Sequence, residues 1–292
     1  MRWIRILLLC CLPAWGAPYP LPETGDLIGA PGAYLVKPGD HFEAIARDHD
    51  LSVLNLIAAN PGVDPLLPAP GSWLVLPSQT LLPQGPRDGI IINLAELRLY
   101  LFEQDQVQVY PIGIGRIGRS TPLGRTRIVA KHAEPSWTPT DGIREAYLEA
   151  GITLPEVVPP GPDNPLGPFA LRLGLGMGEY LIHGTNRQAG VGTRISSGCI
   201  RLRNPDIGEL FERVEAGTLV QILDQPVKLG HGPDGRLYLE VHEPLSRGEP
   251  GRDKLLTLSP KQLRLLAAEG VDQALVRRLL LQQRGLPVPV SP

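Results

Sequence analysis

The sequence predicts a mainly β protein with α+β elements, in which a β-rich domain follows a small β–α–α–β domain. At the start of the region over 89–224, apolar and polar residues alternate as they do in half-buried strands, and several further strand-like runs follow. Glycine and proline are abundant, at 33 and 32 residues, which indicates many turns and few long helices. A segment over 33–78 differs, because strand-like runs at its two ends enclose two helical patterns. These three observations define the predicted fold class.

Residues 1–16 have the layout of a cleavable secretory signal. Arg2 and Arg5 form the basic start, an apolar run over 6–12 follows, and small residues precede an expected cut after Gly16. Seven apolar residues are too few to span a bilayer as a helix, and no other apolar stretch is long enough. We therefore expect an exported protein with no transmembrane segment.

The small domain over 33–78 begins with the strand-like run YLV and closes with WLVL. Asp40 is the predicted N-cap of its first helix and Ser52 that of its second, which Asn60 and the following proline end. The unit resembles a LysM domain, since it carries that family's GD, IA, NP and closing LP landmarks. The resemblance implies binding of N-acetylglucosamine-containing glycans such as peptidoglycan. A small helical hairpin without a ligand is the alternative.

A proline- and glycine-rich linker over 79–88 leads into the larger domain, which we predict over 89–224. Its first stretch, IIINLAELRLYLFEQDQVQVYPIGIG, predicts a strand–turn–strand pair. Further strands are predicted over 126–130, 169–173, 179–183 and 218–223. The one clear helix spans 204–214, where Asn204 can act as N-cap and Pro205 suits the first helical position.

Residues 225–292 follow as a C-terminal accessory segment that contains one strand and a leucine-rich helical region. Leucines at helical spacing usually face a core, so we expect this segment to pack on the larger domain. A separate helical docking surface is the less favoured reading of the same pattern.

The composition excludes several classes of function. With 42% hydrophobic residues, 20% charged residues and a formal net charge of −2, the chain shows no basic patch of the kind that binds nucleic acid. The six histidines form no pair of the H-x-x-x-H or H-E-x-x-H type, so no metal is predicted. GIGRIG over 113–118 matches a dinucleotide-binding fingerprint, but the turn residues Pro122 and Gly124 follow in place of a helix. We therefore predict no nucleotide cofactor either.

The stretch YLIHGTNRQAGVGTRISSGCIRLRN carries the candidate chemistry, because it contains Cys199, the one cysteine outside the expected signal. A thiol reacts as its thiolate, and the imidazole of His183, sixteen residues upstream, could generate it. Gly184 and Gly198 would allow a carbonyl substrate to approach backbone N–H groups closely. Arg201 could hold the loop or a substrate carboxylate. A small buried cysteine and a core histidine are equally good readings at this point.

This stretch closely resembles the active-site motif of the L,D-transpeptidases of the YkuD family, H-G-x(n)-S-x-G-C-(I/V)-R. The matching residues are His183, Gly184, Ser196, Ser197, Gly198, Cys199, Ile200 and Arg201. The stretches RSTPLGRTRI, EPSWTPT and GPDNPLGPFALRLG are similar to the ErfK/YbiS-like subgroup. Ser197 stands where many members have histidine. The family implies a β-rich YkuD-type catalytic domain, a mixed-sheet sandwich.

The resemblance implies a role for each of these residues. Cys199 would attack the third residue of a peptidoglycan tetrapeptide stem and release the terminal D-alanine, which leaves a thioester. His183 would move the protons, with its ring oriented by the backbone carbonyl of Gly184. No metal or cofactor is required. The candidates for oxyanion and substrate contacts are Gly198, Ser197 and Arg201.

The resemblance also implies a periplasmic location and peptidoglycan as the partner, through its stem peptides and, at the LysM-like domain, its glycan. Two amines could accept the acyl group: a lysine of an outer-membrane lipoprotein, which the subgroup favours, or the side chain of diaminopimelate. Water as the acceptor would make the protein an L,D-carboxypeptidase. A non-catalytic peptidoglycan-binding protein is the alternative from another functional class.

Overall fold

The computed structural model describes residues 18–116, 121–176, 180–196, 198–244 and 256–292. The expected signal over 1–16 and the candidate residue Ser197 lie outside these ranges. The strands are β1 Tyr19–Pro20, β2 Leu27–Ile28, β3 Gly32–Leu35, β4 Trp73–Leu76, β5 Thr80–Leu81, β6 Gly89–Asn93, β7 Arg98–Glu103, β8 Gln106–Pro111, β9 Ile114–Gly115, β10 Gly124–Ala133, β11 Phe169–Leu173, β12 Tyr180–His183, β13 Arg194–Ser196, β14 Ile200–Arg201, β15 Leu219–Leu223, β16 Val227–His231, β17 Leu237–Val241 and β18 Val288–Pro289. The helices are α1 Phe42–Asp48, α2 Val53–Ala59, α3 Asp141–Glu149, α4 Asn204–Arg213, α5 Pro260–Leu266 and α6 Gln273–Gln282. Within the described ranges, no helix has the length and apolar character needed to cross a membrane.

Nine strands form one large sheet in the order β1-β8-β7-β6-β15-β10-β11-β12-β14. The sheet is mixed, because β6 and β15 pair in parallel, as do β12 and β14, while the remaining neighbours are antiparallel. The stretch predicted as a strand–turn–strand pair forms the four strands β6, β7, β8 and β9, of which the first three belong to this sheet. The four further predicted strands correspond to β10, β11, β12 and β15. The prediction of a mainly β fold with a mixed sheet is confirmed.

A hydrophobic core anchors the end of this sheet that carries the candidate chemistry. Ile182 of β12 and Ile200 of β14 are fully buried in it, together with Ile207 of α4. Phe169 of β11 packs on Phe211 of α4, with ring centroids 4.6 Å apart. Burial of one such side chain contributes about 1.5–3 kcal/mol, so the ends of β12 and β14 have little freedom to move.

The elements β3, α1, α2 and β4 form a small unit in the predicted order, around a core that includes Phe42 and Leu56. Neither predicted side-chain cap forms. Asp40 instead accepts hydrogen bonds from the Lys37 N–H at 2.7 Å and the Tyr34 hydroxyl at 2.9 Å, which closes the turn before α1. The identification of this unit as a LysM domain stays a prediction.

The small unit lies directly against the domain that contains the large sheet. Ser52 occupies the N-cap position of α2, but its hydroxyl donates to the Gly192 carbonyl at 2.9 Å. The Arg203 guanidinium, beside α4, pairs with Asp50 of the small unit at 2.5 Å. A buried hydrogen bond contributes about 1 kcal/mol, so the side chain expected to cap a helix stabilises the contact between the two units instead.

The predicted linker over 79–88 is only partly a linker. Thr80, Leu81 and Leu82 are buried, and β5 pairs with β2. The Thr80 hydroxyl donates to the Glu240 carboxylate at 2.9 Å, which joins the linker to the C-terminal segment. Two leucines in a proline-rich stretch were the sequence signal for this burial.

The C-terminal segment forms the three-stranded sheet β16–β17–β18, covered by α5 and α6 around a separate core that includes Leu239 and Val276. The sequence predicted a strand at β17 and a helical region at α5 and α6. It did not predict β16, because Lys228 in that strand argues against burial, and the lysine is nevertheless 1% exposed.

The chain makes a long excursion between β10 and β11, over residues 134–168, which contains helix α3. No residue of α3 is buried. Ile143, Ala146 and Tyr147 stand at helical spacing in α3, so the sequence contains a periodic signal that the prediction missed. The statement that 204–214 is the one clear helix of this domain is therefore wrong.

Candidate active site

The strand pair β12–β14 brings the histidine and the cysteine of the motif together. Ile182 pairs with Ile200 and His183 with Arg201, and the Leu202 N–H donates to the His183 carbonyl at 2.9 Å. Cys199 immediately precedes β14, so the parallel register places it beside Leu181, two residues before His183. Side chains alternate along a strand, so Cys199 and Arg201 face the side opposite to the buried Ile200.

His183 is buried and its ring is held in one orientation. Its Nδ1 lies 2.6 Å from the carbonyl oxygen of Gly184. A carbonyl can only accept, so Nδ1 carries the hydrogen and Nε2 is the basic nitrogen. Burial, reinforced by the positive charge of Arg201, lowers the pKa of His183 from 6.5 to about 4, although the carbonyls of Gly184 and Leu166 act in the opposite direction. The imidazole is therefore neutral at neutral pH and able to take a proton.

Two hydroxyl groups fix the backbone around Cys199. The Ser196 hydroxyl donates to the Cys199 carbonyl at 2.5 Å, and the Thr121 hydroxyl donates to the Gly198 carbonyl at 2.9 Å. Gly198 has φ +110°, in the region that favours glycine. Its N–H, one of the expected oxyanion donors, points at the Ser196 oxygen at 3.2 Å. Thr121 was not among the predicted site residues; its one signal is its position within the family-like stretch RSTPLGRTRI.

Gly184 has to be glycine for a packing reason. A Cβ at this position would lie 2.5 Å from Oδ1 of Asn204. That oxygen accepts a hydrogen bond from the Thr185 N–H at 2.8 Å. The predicted N-cap role of Asn204 is thus wrong: Arg203 occupies the N-cap position, and Asn204 holds the segment that follows His183.

The glycine-rich stretch GIGRIG supports the cysteine strand. Gly113 exchanges two backbone hydrogen bonds of 2.8 Å with Arg201, and a Cβ on it would lie 2.4 Å from the Gly190 carbonyl oxygen. Gly115 pairs with Ser196 through β9 and β13. These glycines are extended backbone beside the active-site loop.

A cavity of about 710 Å³ adjoins the strand pair on the side of Arg201. The 134–168 excursion supplies most of its walls, including Trp137 and Tyr147. The other walls include Arg187 and Arg201. The Nε of Arg201 is buried without a hydrogen-bond partner, and burial lowers the pKa of its guanidinium. The structure therefore brings His183, Gly184, Gly198, Cys199 and Arg201 together at this strand pair, and of these residues Arg201 lines the cavity.

Among the residues that the structure describes, Glu96, Glu240 and His242 form the one group with metal-ligand spacing. The ammonium of Lys228 lies between the two carboxylates, 2.5 Å from Glu96 and 3.1 Å from Glu240, and Arg98 lies 3.2 Å from Glu96. Two cations thus balance the two carboxylates. A metal ion would have to displace the lysine, so the group does not fit a metal site.

Two family models match the chain. Residues 87–222 match the L,D-transpeptidase catalytic domain YkuD, and residues 226–290 match the L,D-transpeptidase C-terminal domain. The chain is 45% identical to the probable L,D-transpeptidase YcfS of Escherichia coli K12, over 99% of this chain and 94% of the relative. It is 44% identical to the probable L,D-transpeptidase ErfK/SrfK of Salmonella typhimurium LT2, over 94% and 91%.

Solved structures show weaker likenesses. A mutant of an Enterococcus faecium L,D-transpeptidase aligns with a TM-score of 0.37 and 20% identity, over 47% of this chain and 49% of that one. L,D-transpeptidase 3 from Mycobacterium tuberculosis aligns with a TM-score of 0.36 and 18% identity, over 52% and 67%. At these scores the likenesses add no weight to the sequence matches.

Proposed function

The chain belongs to the YkuD family of L,D-transpeptidases and is an L,D-transpeptidase, and from that premise we propose that Cys199 is the nucleophile acting on peptidoglycan tetrapeptide stems in the periplasm. One observation carries this proposal. The ring of His183 is neutral and fixed by the Gly184 carbonyl at 2.6 Å, on the strand that pairs with the strand after Cys199. A base with its free nitrogen set by a backbone carbonyl is the arrangement that a thiol nucleophile requires.

The first half-reaction forms a thioester. Nε2 of His183 takes the thiol proton, and Sγ of Cys199 attacks the carbonyl at the L-centre of the third stem residue. The resulting oxyanion is stabilised by backbone N–H groups of the cysteine loop; each such donor contributes about 3–4 kcal/mol in favourable cases. As the N–H of Gly198 also faces Ser196, it must turn away from that hydroxyl to contribute. The imidazolium then protonates the amine of the departing terminal D-alanine.

The second half-reaction transfers the acyl group to an amine. The incoming amine attacks the thioester carbonyl, His183 accepts its proton, and the Cys199 sulfur leaves. One peptide bond breaks and one amide bond forms, so the reaction needs no nucleoside triphosphate and no metal. A lipoprotein lysine is the acceptor that we favour, and the diaminopimelate side chain is the other amine acceptor. Water in its place would give an L,D-carboxypeptidase.

The small β–α–α–β unit would hold the glycan strand near this site. Its LysM-like sequence supports glycan binding, and its contacts through Ser52 and Asp50 support a fixed orientation relative to the catalytic strands. The expected export signal over 1–16 supports delivery to the periplasm, where peptidoglycan is the partner.

The test uses purified protein with defined tetrapeptide donors and both amine acceptors, with the product masses read directly. We expect loss of one D-alanine for each amide formed, and no product from Cys199→Ala, because its methyl group cannot form a thioester. Thr257→Ala, at an exposed position, is the matched control.

Three other outcomes would decide against parts of the proposal. Hydrolysed stems without amide products would indicate a carboxypeptidase. Equal products from Cys199→Ala and wild type would exclude the cysteine mechanism. Binding to isolated sacculi, with no product and no carbapenem adduct on Cys199, would indicate a non-catalytic binding protein.

A further inference from the structure

Arg201 is a partly buried cation without an acidic partner. Its Nε is enclosed and makes no hydrogen bond, and no ion pair to it is found among the described residues. Two of the other enclosed arginines have acidic partners: Arg98 pairs with Glu96, and Arg203 pairs with Asp206. Arg284, whose Nε is also enclosed without a hydrogen bond, binds the Ala59 carbonyl instead. Burial of a charge is costly unless it is paired, so the position of Arg201 suggests a partner that arrives from outside the chain.

A second cation lies on the same cavity wall. Arg187 lines the cavity with Arg201. Burial has the largest effect on the pKa of the Arg201 guanidinium and lowers it; Cys199 and Tyr147 raise that pKa, and the positive charge of Arg187 lowers it further. Asp163 is the one acid among the residues that line the cavity, and it forms no ion pair with either arginine in the described ranges. Two like charges that repel across a cavity are stabilised by an anion between them.

We propose that Arg187 and Arg201 form a subsite that binds a carboxylate of the donor peptide beside the thiol. The inference rests on the proposed function, since it specifies which donors Cys199 accepts. A planar guanidinium can bind a carboxylate through two parallel hydrogen bonds, and the unsatisfied Nε of Arg201 is one available donor.

Position along the strand limits which carboxylate can reach this subsite. Cys199 and Arg201 are two residues apart on one face, so their Cα atoms are separated by roughly 6–7 Å. A carboxylate bound by Arg201 therefore belongs to a group within about one residue of the scissile carbonyl. Two groups of the donor meet this condition: the side-chain carboxylate of the third residue and the terminal carboxylate of the leaving residue.

The walls of the cavity suit the carbon chain of such a group. Trp137, Tyr147 and Leu154 contribute aromatic and apolar surface. The wall is tied together by Arg144 of α3, which donates to the Pro155 carbonyl at 3.2 Å and, at 2.7 Å, to that of the next residue. A volume of about 710 Å³ is within the range of small-molecule binding sites.

The first experiment compares three donors: the tetrapeptide, the same peptide with the third side chain as an amide, and the same peptide with a terminal amide. For wild type, one of the two amide donors should have a KM about 10- to 100-fold higher than that of the unmodified tetrapeptide, with little change in kcat. This is the effect expected when a charge-assisted pair is lost. Arg187→Gln should raise the KM of the unmodified donor. It should also bring the KM values of the amide and unmodified donors to within about threefold of each other. Arg172→Gln, an exposed arginine of β11, should behave as wild type.

The amide donor with the raised KM identifies the carboxylate that the subsite binds. Sensitivity to the side-chain amide assigns the subsite to the third residue, and sensitivity to the terminal amide assigns it to the leaving residue. Equal KM values for all three donors would overturn the proposal. If no donor reacts at all, the proposed function fails, and the subsite is then judged by the second experiment.

The second experiment needs no substrate. Iodoacetate and iodoacetamide both alkylate a thiolate with loss of iodide, and they differ by one negative charge. The ratio of their rates at Cys199, located by mass spectrometry, should be about tenfold higher in wild type than in Arg187→Gln or Arg201→Gln. The Arg172→Gln ratio should equal that of wild type. Ratios that are equal in all four proteins would show that no anion subsite adjoins the thiol.

Discussion

The buried cluster of Glu96, Arg98, Lys228 and Glu240, here called the interface cluster, and the active-site strands both enclose charged groups, and they differ in charge balance. In the interface cluster, the carboxylates of Glu96 and Glu240 are fully buried with Lys228 and Arg98. At the active site, Arg201 has no acidic partner among the described residues, and His183 is buried in its neutral form.

Because of this difference in charge balance, the interface cluster serves stability, whereas the active-site groups serve the reaction. Burial alone would raise the pKa of Glu240, but Lys228, His242 and Arg98 together lower it to about 2, so it remains ionised in a closed set of charges. Because the charges in such a set balance one another, it has no unbalanced charge with which to bind a substrate. The active-site groups retain an unused donor and a basic nitrogen, which a reacting peptide can use. The cluster that resembled a metal site by distance alone is thus a structural connection to the C-terminal sheet.

The largest expected effect concerns activity. Replacing His183 with asparagine should lower kcat/KM about 10²–10⁴-fold, because the amide can keep the bond to the Gly184 carbonyl but has no second basic nitrogen. Transfer kinetics and urea unfolding should be measured on the same preparations. His132→Asn, an exposed histidine of β10, is the control. Activity within tenfold of wild type in the His183 variant would show that His183 is not the catalytic base.

The next effect concerns stability. Lys228→Met should lower the free energy of unfolding by about 3–5 kcal/mol, because two buried carboxylates would keep Arg98 as their one permanent cation. Lys261→Met, at an exposed position of α5, should change it by less than about 0.5 kcal/mol. Adding Glu240→Gln to the Lys228 variant should recover part of the loss. Equal unfolding midpoints for the two lysine variants would show that the cluster is not a balanced set.

The smallest effect is a difference in pH dependence. Burial lowers the pKa of His183 from 6.5 to about 4, so the unfolded chain binds more protons between these values and stability falls as pH falls. The slope is at most about 1.4 kcal/mol per pH unit. Glu240 acts in a lower window, since its contribution is complete above 4.5 and is lost toward pH 2.

Asp206 also titrates between pH 4.5 and 6.5, because burial raises its pKa to about 6, so the difference between wild type and His183→Asn isolates the histidine. Wild type should lose stability relative to His183→Asn as the pH falls through this range. Parallel curves for the two proteins would mean that His183 titrates normally in the folded state and is not a buried neutral base.

Much of the site was predictable from one short stretch. The motif places His183 and Cys199 sixteen residues apart, and the intervening glycines suggested a close backbone approach to a substrate. The apolar run over 179–183 predicted the strand that ends at His183, whereas the short strand β14, which follows Cys199, was not predicted. The cap predictions failed, because Ser52 and Asn204 use their side chains across contacts that join distant parts of the chain.

The sequence by itself thus determined the β-rich fold class, the nucleophile candidate and its base, because these depend on local patterns and on a contiguous motif. Only the tertiary structure decided that Arg187 joins Arg201 at one cavity and that Lys228 is buried between two carboxylates. The physical reason is that the charge balance of a site depends on groups that are far apart in sequence, as Glu96 and Lys228 are at 132 residues. Local periodicity contains no information about which of these groups meet.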